Sequence, residues 1–165
     1  MEEQTSKKIE FDITMNAKCL YDYLMYHAYS GAGTLLASCI GAMGIILGLN
    51  YGYTIYVILG VVIILYTPFN LRLAAARSMT MNETYKKPLH YVLDEQGITV
   101  SQGDVSDTIS WDKCTKAAST RRSIILYTGK NNACVFPRVQ LEENVAGLIA
   151  TIASNMEPKK VKIRY

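Results

Sequence analysis

Residues 23–71 read YLMYHAYSGAGTLLASCIGAMGIILGLNYGYTIYVILGVVIILYTPFNL, without one Asp, Glu, Lys or Arg. A bilayer's hydrocarbon core is ~30 Å thick and takes roughly 20 apolar residues of helix to cross. The uncharged stretch is long enough for two crossings and a tight turn, and too short for three. Leu49-Asn50-Tyr51-Gly52-Tyr53 marks the turn, because Asn and Gly both tolerate positive φ. The pattern predicts a transmembrane hairpin over 29–71, with spans at about 31–49 and 53–69.

The first span is rich in small residues: Gly33, Ala37 and Gly41 recur every four positions, and Gly44 and Gly48 continue the spacing. Such rows let helix backbones approach closely, which is how helices gain contact in lipid. Two partners fit the row. One is the bulky second span, with Val57, Ile64 and their neighbours; the other is a second copy of the chain through Gly44-x-x-x-Gly48, making a homo-oligomer. Tyrosines crowd both interfaces, at 21, 23, 26 and 29 and at 51, 53 and 56. Proline removes an amide donor, so Thr67-Pro68 should kink or stop the second span and restart a juxtamembrane helix over 72–88. Lys87-Pro88 then ends it.

Sidedness follows from the basic residues. The turn carries none, whereas Lys7, Lys8 and Lys18 precede the hairpin and Arg72, Arg77, Lys86 and Lys87 follow it. The positive-inside rule puts both termini in the cytoplasm. The apolar run is too long for a secretory signal and is followed at once by a second span, so the hairpin should be retained. Cys19, Cys114 and Cys134 would then stay reduced, with Cys39 inside the membrane. No Cys-x-x-Cys pair or nearby His supports a metal site or redox dithiol, so no metal and no cofactor are expected. A formal charge of +3 is too slight for a nucleic-acid partner.

Outside the hairpin the period changes. Ile9, Phe11 and Ile13 alternate with polar residues as in a half-buried strand, and Asn16 can cap an interfacial helix through Ala28, completing an N-terminal region over 1–28. From Leu89 short strands alternate with turns at Asp94-Glu95-Gln96-Gly97, Gly103-Asp104 and Gly129-Lys130-Asn131-Asn132. Val105, Ile109 and Trp111 fall on one strand face, which makes Trp111 a core anchor. Leu141, Val145, Leu148, Ile149, Ile152 and Met156 form one face of a last helix, with Glu142 and Glu143 at its start. The fold class is α+β: a membrane hairpin and, over 89–165, a β-roll or partial barrel closed by a C-terminal helix.

At Tyr91-x-Leu93-x-Glu95-x-Gly97-Ile98-x-Val100, then Trp111-x-x-Cys114-x-Lys116, then Phe136-Pro137-Arg138, the chain resembles the YcxB-like family of bacterial membrane proteins. The resemblance implies a two-helix hairpin in the bacterial inner membrane, followed by a domain similar to a bacterial pleckstrin-homology fold. Cys114 stands where that family more often has a β-branched residue, and Arg138 where it more often has Lys. The family carries no established reaction or ligand, so the resemblance assigns no site residues.

Catalytic chemistry finds little support. His27 and His90 belong to no recognisable catalytic or metal motif. Asp94 with Glu95, or Asp104 with Asp107, could be drawn as paired carboxylates, but acids beside glycine turns are usually solvated. The spans hold no ionisable pathway for transport. What remains is the basic tail Lys159, Lys160, Lys162 and Arg164, interleaved with Val161, Ile163 and Tyr165. Near a leaflet such residues gain ~1 kcal/mol each from anionic lipid headgroups; the same tail reads equally as a solvated end or a final strand. The expectation is a non-enzymatic, membrane-anchored binding or regulatory module whose partners are the bilayer, anionic headgroups and an unidentified protein. The alternative is an immunity- or resistance-type protein that binds another membrane component. An enzyme with a dispersed site is the third class.

Overall fold

The computed structural model describes residues 8–129 and 132–163. Strand β1 (Ile9–Ile13) buries every second residue, and the Asn16 side chain then accepts from the Cys19 amide at 2.9 Å to start helix α1 (Ala17–Tyr29). Two long helices follow, α2 (Ala32–Tyr51) and α3 (Thr54–Met81), joined at Gly52, whose φ of 74° favours glycine. Their most apolar windows have a mean hydropathy of 2.0 and are only 11% and 6% buried. Both helices are therefore long and apolar enough to cross a membrane, and neither is the sheltered core helix of a soluble domain.

The two helices meet backbone to backbone. A Cβ on Gly41 would lie 2.9 Å from the Gly60 carbonyl, and one on Gly48 would lie 2.8 Å from the Val57 amide. A Cβ on Gly60 would run into the Gly41 carbonyl. Gly44 has ordinary room, 3.4 Å to the Tyr56 carbonyl, and Gly33 has nothing within 4 Å. Gly41 and Gly48 are thus used inside the chain. The second span contributes its own small residue, Gly60, as well as the larger Val57 and Ile64.

Pro68 does not end the second helix: α3 runs through it to Met81, and only a 3₁₀ turn at Glu83–Lys86 follows. The separate helix expected over 72–88 is corrected accordingly. Leu71-Arg72-Leu73-Ala74-Ala75-Ala76-Arg77 is made of strong helix formers, and Ala75 is 1% exposed where α3 packs beside α1. Propensity and packing together outweigh one missing amide.

The remaining strands form two four-stranded sheets. The first has the order β1-β2-β3-β4, with β2 at Leu89–Leu93, β3 at Gly97–Gln102 and β4 at Val105–Ser110, all antiparallel. The second has the order β7-β6-β5-β8, with β5 at Lys116–Ser119, β6 at Ser123–Tyr127, β7 at Ala133–Pro137 and β8 at Val161–Lys162. Ile13, Leu93, Ile98, Ile124, Leu126 and Phe136 fill the space between them. Helix α5 (Asn144–Asn155) supplies Leu148, Ile149 and Ile152 to the same core. At ~1.5–3 kcal/mol for each large side chain removed from water, this is the main source of the domain's stability.

Three local expectations change. The C-terminal helix is broken: α4 (Arg138–Leu141) ends at Glu142, whose φ of 46° interrupts the helix before α5 begins. Leu141 still reaches the core. Trp111 is 8% exposed, a core residue as expected, but it sits in a 3₁₀ turn after β4 and its Nε1 donates to the Asp94 carbonyl at 2.9 Å. Val105, expected on the core face, is instead 74% exposed, as are most residues of β4. Gly97 is needed less for its φ, 159°, than because a side chain would strike the Ile109 backbone across β3 and β4.

Candidate functional site

The basic tail is part of the fold. Lys159 and Lys160 lie in a 3₁₀ turn, with Lys160 Nζ 3.4 Å from Glu157. Strand β8 then pairs parallel with β5, Ala117 opposite Val161 and Ala118 opposite Lys162. Val161 and Ile163 pack against the main core. They are therefore turned away from any surface the tail could dip into. Lys159 and Lys162 remain exposed, and Arg164 lies outside the described residues.

The outer face of the second sheet leads to a different cluster. Strand β6 is buried at all five positions, because α1 covers the side facing away from the first sheet. Ala118, Ile125 and Tyr127 pack there against Tyr23 and Tyr26. At the C-terminal end of α1, the rings of Tyr23, His27 and Tyr127 lie about 6 Å apart, with centroids at 5.9 Å for Tyr23–His27 and 6.0 Å for His27–Tyr127. Lys116 Nζ stands 5.2 Å from the Tyr26 ring centroid and 5.6 Å from that of Tyr127, in cation–π range. Burial pushes the Tyr127 hydroxyl up to about 12, with Tyr23 and Tyr26 adding to the effect, so it stays a proton donor.

Around this cluster lies a cavity of about 370 Å³, lined by His27, Ser30, Gly31, Thr115, Lys116 and Tyr127 among others. The lining holds a cation, an imidazole and three hydroxyls, and no described carboxylate belongs to it. At the end of α1 the Tyr26 and Ala28 carbonyls are occupied. Ser30 donates to the Tyr26 carbonyl through its amide at 3.0 Å and its hydroxyl at 2.6 Å, and the Gly31 amide donates to Ala28. Two residues after Ser30, α2 begins. The cavity therefore opens where the chain enters its first long apolar helix.

Other cavities lie elsewhere among the described residues. One, of about 480 Å³, lies beside the start of α1 and includes Lys18, Cys19 and Arg122; burial raises the Cys19 thiol. Another, of about 510 Å³, is the open mouth between the sheets, floored by Leu89, Tyr91 and Cys134. Among the carboxylates, Asp94 holds a turn, its Oδ1 accepting from the Gln96 amide at 2.8 Å and the Gly97 amide at 3.0 Å. Cys114 and Cys134 are buried core thiols, and burial pushes Cys134 up to about 12.

Residue reading set His27 aside and singled out the tail instead, and it missed Lys116, Thr115 and Tyr127 as neighbours of His27. Lys116 appeared only as the end of a family motif. Nothing local couples β5 to α1, which lie on opposite sides of the hairpin in the chain.

The architecture defines a class: a membrane protein in which two long apolar helices interrupt an α+β domain whose parts, before and after them, interlock. The family model described as YcxB-like protein matches residues 93–152, from the end of β2 into α5, so this stretch is similar to that family. The match includes Glu95, Gly97, Trp111 and the Phe136-Pro137-Arg138 segment, and leaves out the two long helices. Neither the curated proteins nor the solved structures hold a match to the chain.

Proposed function

We propose that the chain is a multi-pass protein of the bacterial inner membrane with both termini cytoplasmic, and that it acts as a non-enzymatic binding or regulatory module. Its sheets play the part of a pleckstrin-like domain held against the inner leaflet. The pairing of β1 with β2 carries this reading, from Ile9 opposite Leu93 to Ile13 opposite Leu89. One strand precedes the apolar helices and the other follows them, so both flanks must lie on the same side. The basic flanks make that side the cytoplasm.

The domain is also held rigidly. Helix α1 packs on α3 and on β6 and β7, so it joins hairpin to sheets by side-chain contact rather than by a loose linker. A domain fixed in this way presents one end to the headgroup layer, which suits a module that reads or holds something at the leaflet. Reporter fusions at residues 1 and 165 should both read inside, and a fusion at Gly52 outside. Opposite readings at the two termini would overturn the interlocked architecture.

A further inference from the structure

We propose that the cavity between the end of α1 and the start of β5 takes the headgroup of one net-anionic phospholipid, with Lys116 as its principal contact. This rests on the leaflet-held reading and gives it a ligand class. The Lys116 ammonium is set over two tyrosine rings, and among the described residues it has no carboxylate partner. The rings hold the cation in place without neutralising it, as a carboxylate would. His27 and the Tyr127 hydroxyl stand around it, the Ser30 and Thr115 hydroxyls being donated to the Tyr26 and Tyr127 carbonyls, and the volume of about 370 Å³ accommodates a phosphate ester with its alcohol. Position selects the source. The cavity reaches Gly31, the residue immediately before α2, which on the leaflet-held reading is the level of lipid phosphates, where a soluble anion has no advantage.

Strand register adds charge beside it. Since β8 runs parallel to β5, Lys162 stands opposite Ala118, two residues along β5 from Lys116, and it is exposed. Lys162 thus adds a second positive charge to the same sheet edge, while Val161 and Ile163 are committed to the core.

The test uses full-length protein in neutral detergent, titrated with short-chain phosphatidylglycerol, with phosphatidylcholine of equal chain length, and with inorganic phosphate. Bound lipid is read by native mass spectrometry. Phosphatidylglycerol should bind best, Lys116→Gln should weaken it about fivefold, and Lys116→Arg should stay within about twofold of the original. Thr115→Glu, at an exposed position, should also expel the anionic lipid while leaving phosphatidylcholine unaffected. Thermal midpoints of each variant separate lost binding from lost fold. Equal binding of the two lipids would overturn the proposal. So would undiminished binding by both Lys116→Gln and Thr115→Glu, and inorganic phosphate binding as tightly as the lipid would make the ligand a soluble anion instead. The leaflet-held reading fails separately, on the reporter fusions.

Discussion

The two sheets differ in their cover: the first has a face open to water, whereas the second is buried on both faces along β6 and most of β7. In the first sheet β1 and β2 alternate strictly, and β4 is exposed along nearly its whole length. In the second, β6 is buried throughout and β7 nearly so. The cause is α1, which lies over the second sheet only. A helix that precedes the apolar hairpin thereby completes a sheet that follows it. Sheets buried on both faces read as continuous apolar runs, and Ile124-Ile125-Leu126-Tyr127 is such a run.

The largest effect expected from this difference is on excision. A fragment of residues 86–165 lacks β1 and α1, leaving β2 without its edge partner and Ile125 and Tyr127 bare. It should be insoluble or unfolded, as judged by circular dichroism and gel filtration. Replacing residues 31–70 by a flexible linker keeps β1, α1 and the end of α3, and should restore a soluble domain. A folded 86–165 fragment would show that α1 is dispensable and break the comparison.

Substitutions on the two outer faces test it more finely. Ile125→Asp buries an unpaired charge under α1 and should cost several kcal/mol, enough to lose most of the fold. Thr108→Lys, on the wet first sheet, should change stability by no more than about 0.5 kcal/mol. Denaturation of the full-length protein in detergent measures both, and equal effects would mean that α1 does not seal the second sheet. Between the sheets, Trp111→Ala should cost ~3–5 kcal/mol, since the core is shared and the Asp94 carbonyl loses its donor.

A similar contrast holds along the paired helices α2 and α3. Gly60→Leu or Gly41→Leu should lower yield and aggregation temperature in detergent, because each side chain meets the opposing helix backbone. Gly33→Leu, with open space around it, should be nearly silent. Equal behaviour would show that the hairpin is not packed through these glycines.

The smallest effect is on alkaline stability. Cys134 titrates near 9 when unfolded and at about 12 in the fold, because burial disfavours the thiolate. The folded state therefore keeps a proton that the unfolded state gives up. This contribution is intact below pH 9 and is lost as pH rises toward 12. Tyr127 acts in the same direction from about 10 to about 12. Cys134→Ala should flatten the decline between pH 9 and 10.5 in denaturation midpoints, and an unchanged slope would remove Cys134 as its source.

Much was legible locally, and for local reasons. The uncharged run set the two apolar helices, Asn16 set the start of α1, and period-two alternation identified β1 and the first hairpins, because each signal lies within a few residues of what it specifies. Pro68 misled because a single residue's preference competes with the packing of the whole helix beyond it. Glu142 misled because the apolar spacing continues unbroken across an interruption of the backbone. The sequence by itself determined two helices long and apolar enough to cross a bilayer and an α+β domain around them, since bilayer thickness and side-chain periodicity act on short stretches. Only the tertiary structure decided that α1 covers the second sheet and that His27 and Lys116 share one cavity. Those contacts join segments on either side of the hairpin, and their energy comes from surfaces that exist only once both have folded.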